Sequence, residues 1–165
     1  SLLKKINNLI ENLCLTVGFL LLSIFILVVL AKVVFRNYLH ISMMWADEVA
    51  VFCFIWTVFL GAAVAVRHKL HYTVDLAPNK IRLNLIFDII ANFIILTLIY
   101  VMVFHGYSFT KMGLSRFSIA LEIPLAFTFA SIPVSGLFMF FFAVEQMIND
   151  IKKLSGLREK EVLDK

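Results

Sequence analysis

Four long stretches of this sequence carry no charged residue, and no other feature limits the fold so strongly. They are Asn12–Ala31, Val49–Val66, Ile89–Phe104 and Ile123–Val144. A helix crosses a bilayer with about 20 mostly apolar residues, in a range of roughly 17–25. Backbone groups in hydrocarbon must be satisfied within their own segment, which leaves helices or a closed barrel. Unbroken apolar runs lack the alternation of a barrel strand. The reading is an all-α integral membrane protein with four transmembrane helices, one membrane domain over 1–165. The spans fall near 12–35, 47–67, 83–107 and 123–146, and a polar tail over 149–165 reads as a helical extension that frays into disorder. Composition agrees: 62% of residues are apolar and 16% charged, where soluble domains carry about 25% charged residues. A soluble enzyme, a disordered regulator and a secreted disulfide scaffold are excluded. The first run is far longer than a signal peptide's apolar stretch of about 7–15 residues, so it is expected to remain as an anchor.

The few charges sort by side. Lys4 and Lys5, then Arg67, Lys69, Lys80 and Arg82, then Lys152, Lys153, Arg158, Lys160 and Lys165 share one side; Lys32, Arg36, Lys111 and Arg116 hold the other. Basic residues concentrate on the cytoplasmic face, so both termini are expected there. The net charge of +4 is then a topology charge, and no nucleic-acid partner is expected. Proline marks helix ends: Pro78 is expected to begin the third helix, Pro124 the fourth, and Pro133 to kink that fourth helix.

Little in the sequence carries reaction chemistry. Cys14 and Cys53 stand alone inside spans, and His68 and His71 sit beside Arg67 and Lys69, which oppose a bound cation. Asp47 and Glu48 are adjacent, so on a helix they point about 100° apart and cannot act on one bond together. No catalytic, cofactor-binding or metal site is expected, and the chain is not expected to be an enzyme. An autonomous ion-coupled transporter places ionisable groups or broken helices at the bilayer midplane. None occurs here. The chain reads as a companion to a transport or redox machine. The small residues Gly61 and Ala65, four apart, suit close helix contact, inside the bundle or with a partner. Trp45 suits the aromatic belt, and the deeper Trp56 is a candidate contact for a partner helix. A membrane anchor of a redox complex and a self-sufficient small exporter are the competing readings.

The stretch from Arg36 to Asp75 narrows the choice. It runs Arg36, then Ser42-Met43-Met44-Trp45-Ala46-Asp47-Glu48, then Trp56-Thr57-Val58-Phe59-Leu60-Gly61-Ala62-Ala63, then Arg67-His68-Lys69-Leu70-His71 and Val74-Asp75. This resembles the small membrane subunit of tripartite ATP-independent periplasmic (TRAP) transporters, with Asp47 where that family commonly has glutamate. The resemblance implies a multi-pass protein of a bacterial inner membrane. Its partners would be a large multi-span transport subunit, a periplasmic substrate-binding protein and the lipid bilayer. Sodium would bind the large subunit, with no cofactor in this chain. The cargo would be an organic acid of the sialic acid or C4-dicarboxylate class. It further implies that Trp45, Asp47 and Glu48 anchor a helix end, pair with Arg36 or help docking. Arg67, His71 and Asp75 would form a polar lock at the cytoplasmic exit. Lys111 and Arg116 are candidate contacts for the binding protein.

Overall fold

The computed structural model describes residues 2–68 and 81–164, and among them the chain is almost wholly helical. Helix α1 covers Leu2–Val34 and runs into a π-helical turn at Phe35–Leu39. Helix α2 covers Met44–Arg67, α3 Ile81–Gly113, the short α4 Ala126–Phe129, and α5 Ser131–Leu163. Four of these are long and apolar enough to cross a membrane, α4 and α5 together forming the fourth.

The helix boundaries differ from the sequence expectations in instructive ways. The first helix begins at Leu2, because the polar residues ahead of the apolar run pack against other helices. The turn after it closes at His40, whose φ of 51° lies in the left-handed region and reverses the chain. Trp45 and Asp47 sit on the first turn of α2, which begins at Met44. The expected start of the third helix at Pro78 lies outside the described residues. Pro124 does not start a helix; it pairs across a short hairpin with Phe117, and α4 begins two residues on. Pro133 lies at the beginning of α5, not in its interior. Having no N–H to give to Phe129, it interrupts the backbone ladder between α4 and α5. The expected fraying after Asn149 is replaced by regular helix to Leu163, and Arg82 of α3 pairs with Glu161 near its end at 2.9 Å.

The helices lie in a row in the order α1, α2, α5, α3. Among the described residues no close backbone approach joins α1 or α2 to α3. α5 is therefore the hub. Its buried Ser131, Ser135, Gly136 and Ala143 present small side chains, which let backbones approach where no water drives helices together. A Cβ on Gly136 would lie 3.1 Å from Val103 Cγ2, and one on Gly106 of α3 would lie 3.0 Å from Ile132 Cγ2. The apolar core sits along this hub: Ala63 and Val66 from α2, Ile99 from α3, and Met139, Phe142 and Ala143 from α5. α1 packs on α2, with Phe25 and Phe54 rings 5.8 Å apart. Its outer face, and that of α3, stays open.

Candidate functional site

Polar chemistry gathers at the two ends of the row. At the end holding both termini, Arg67 leaves the last turn of α2 and enters a nearly buried cluster. Its guanidinium pairs with Glu11 of α1 and donates to Asn8 Oδ1, while Glu145 of α5 lies 3.7 Å from Nε. The cation also faces the Phe142 ring at 5.7 Å, and His68 reaches the other oxygen of Glu11. Asn7 is fully buried and bridges α1 to α5, donating to the Phe141 carbonyl at 3.1 Å and to Glu145. Gln146 donates to the Val66 carbonyl at 2.7 Å and to the Arg67 carbonyl, occupying carbonyls that the helix end leaves without intrahelical donors. Arg67 thus forms a polar lock, but with Glu11, Asn8 and Glu145. His71 and Asp75, its expected partners, lie outside the described residues.

This cluster was missed because every member except Arg67 and His68 flanks an apolar run far away in sequence, where it reads as a solvated helix end. One signal was present. Glu11 and Glu145 border the first and fourth runs on the side where Arg67 ends the second.

At the opposite end, Glu48 on the first turns of α2 reaches the connection between α3 and α4. Its two carboxylate oxygens accept the backbone N–H groups of Ala120 at 2.8 Å and Leu121 at 3.0 Å. The connection is a hairpin, closed by Leu125 N–H to the Arg116 carbonyl and Ser118 N–H to the Ile123 carbonyl, both 2.9 Å. Asp47 pairs with Lys32 of α1 and not with Arg36; both side chains are open to solvent, where such a pair is worth about 0–1 kcal/mol. Arg36 lies on the π-turn with no ion partner among the described residues. Deeper in, Trp56 Nε1 donates to the Phe127 carbonyl at 3.0 Å, tying α2 to α4. This hydrogen bond of Trp56 lies within the chain. Between α2, the hairpin and α4 lies an open, mostly apolar groove of about 870 Å³, bordered by Glu48, Phe52, Ile55, Phe117 and Phe127.

The other candidates stand apart. A Cβ on Gly61 would meet nothing within 4 Å, so among the described residues Gly61 packs against no other helix; Ala65 is half-buried. Trp45 is exposed beside Asp47. Lys111 lies 5.2 Å over the Tyr107 ring, and Arg116 is exposed where the hairpin begins. Cys14 and Cys53 are buried free thiols. Among the described residues no group of three or more His, Cys, Asp or Glu side chains is arranged to hold a metal ion. Among the described residues, the polar geometry ties helix ends together.

Comparison with known proteins gives the context for these ties. Residues 25–153 match the family model described as tripartite ATP-independent periplasmic transporters, DctQ component. The sialic acid TRAP transporter small permease protein SiaQ of Vibrio cholerae is 28% identical over 161 residues, covering 95% of this chain and 90% of that protein. The sialic acid TRAP transporter permease protein SiaT of Haemophilus influenzae is 31% identical over 160 residues, covering 89% of this chain but only 24% of that longer protein.

Proposed function

This chain belongs to the DctQ component family of tripartite ATP-independent periplasmic transporters, and from that membership we propose how it works as a TRAP small permease subunit. It is a non-catalytic scaffold that braces the large transport subunit in a bacterial inner membrane, with both termini in the cytoplasm. The large subunit binds sodium and carries an organic acid, of which sialic acid is the leading candidate because both relatives above carry that name. The periplasmic substrate-binding protein docks on the side holding Asp47 and Glu48.

The observation that carries the scaffold reading is the open row itself. Polar and charged clusters lie at the helix ends, where they join α1, α2, α4 and α5, and the outer faces of α1 and α3 remain apolar. A pathway for an organic acid needs polar groups converging between helices at mid-depth; a brace needs locked ends and a free flank. The match of nearly the whole chain to about a quarter of a longer permease supports a working position beside a much larger membrane part.

Uptake in proteoliposomes tests this reading. Radiolabelled sialic acid is expected to enter only when this chain, the large subunit, the binding protein and an inward sodium gradient are all present. Uptake by this chain alone would overturn the scaffold role. Sodium-independent uptake by the full set would overturn the coupling.

A further inference from the structure

We infer that the α3–α4 hairpin, residues 114–125, is an interfacial anchor whose apolar tip enters the lipid of the adjoining leaflet, with Glu48 as the residue that positions it. The inference rests on the four-span fold and does not depend on the transport reading.

Depth is the first argument. Arg67 and its partners mark one membrane boundary. Glu48 lies 19 residues earlier on the same helix, about 28 Å away at roughly 1.5 Å per residue, which matches a hydrocarbon core of about 30 Å. Because Glu48 holds the backbone of Ala120 and Leu121, the hairpin tip lies at the other boundary, level with the headgroups, and does not stand off into water.

Exposure is the second. Ile119 is 89% exposed, Phe117 60% and Ile123 44%, an unusual amount of bare apolar surface for a loop otherwise tied down by its own hydrogen bonds. Glu48 secures the loop through the backbone N–H groups of Ala120 and Leu121 and through the Ser118 side chain, so the apolar side chains of Phe117, Ile119 and Ile123 take no part in the tie. Glu122, with a φ of 53°, bends the tip in a conformation uncommon for a residue other than glycine.

Charge is the third. Lys111 precedes the hairpin and Arg116 lies at its start, and Arg116 has no ion partner among the described residues. Lys32 is neutralised by Asp47 and the carboxylate of Glu48 is turned to backbone donors. The free cations at this level therefore complement lipid phosphates. Apolar side chains dipping below a cationic rim are the usual chemistry of an interfacial segment.

Site-directed spin labelling of the full chain in phosphatidylethanolamine–phosphatidylglycerol liposomes tests this, in a Cys14→Ala, Cys53→Ala background. A nitroxide at Ile119→Cys is expected to collide more with oxygen than with the nickel(II)–EDDA complex, and the balance should shift toward nickel at Glu122→Cys. Adding Glu48→Ala should shift the label at 119 toward nickel as well. Equal nickel access at 119 and 122 would overturn the lipid contact. So would a label at 119 that is shielded only when a periplasmic binding protein is added, which would make the hairpin a protein-docking surface. A label at 119 that stays in lipid in the Glu48→Ala chain would overturn the positioning role.

Discussion

Arg67 is where three helices are tied at a single cation, and removing it exposes what it neutralises. Arg67→Ala leaves Glu11 and Glu145 in the same confined site, with Asn8 and the Phe142 face unpaired. A largely buried charge without its partner costs several times what an exposed pair is worth. The site keeps some solvent access, so the expected loss is about 2 kcal/mol, read as a lower melting temperature in mild detergent. Arg67→Lys retains the charge but reaches fewer acceptors from a single point, and is expected to lose less. Trp56→Phe isolates a smaller tie. One aromatic ring is kept, while the donor to the Phe127 carbonyl disappears together with part of the indole's packing. A loss of about 1 kcal/mol is expected, with faster amide exchange confined to α4 and the start of α5.

At the level of elements, glycines distinguish where helices touch. A Cβ on Gly113 would fall 2.6 Å from Phe129 Cδ2 and 2.7 Å from the Ala126 backbone nitrogen. Backbone cannot step aside as a flexible side chain can, so Gly113→Ala is expected to lower stability by about 1–3 kcal/mol. Gly61→Ala meets open space and should leave the isolated chain unchanged or up to about 1 kcal/mol more stable through helix propensity; paired melting curves of the two variants check both. The sequence marks Gly61, with small Ala65 four positions on, and leaves Gly113 between Phe109 and Phe117. It tells that a close approach is permitted and not which helix makes it. The same limit explains what was legible overall. Existence and number of the spans follow from charge-free runs, because hydrocarbon tolerates nothing else. The row order α1, α2, α5, α3 does not follow, since periodicity names no neighbours. Nor does the pairing of Asn7 with Glu145 or of Glu48 with the hairpin backbone, where the partners are 138 and 72 positions apart. The backbone donors of Ala120 and Leu121 leave no trace in residue identity at all. Pro133 shows the converse: its missing N–H was readable, but whether it kinks a helix or opens one depended on where the preceding turn stopped.

For the whole molecule, the open row implies a stability that depends on company. A closed four-helix bundle covers most of each helix with the others, whereas here α1 rests mainly on α2 and α3 mainly on α5. With no hydrophobic drive between helices in a lipid-like medium, those single seams rest on close packing and on the polar ties at their ends. A partner that covers an exposed flank in the native state only will stabilise it by mass action, by about 2.7 kcal/mol when free partner is at 100 times its dissociation constant. For a chain of this size each kcal/mol moves the midpoint by about 2–4 °C. The complex with the large subunit is therefore expected to melt roughly 5–10 °C above the isolated small subunit, following α1 and α3 by a probe on each. The gain should persist in Trp56→Phe, whose lost tie lies within the chain, and should grow with added large subunit until saturation. An isolated chain that melts at the same temperature as the complex would mean that its flanks are already satisfied by detergent or lipid. The open row would then be complete as it stands.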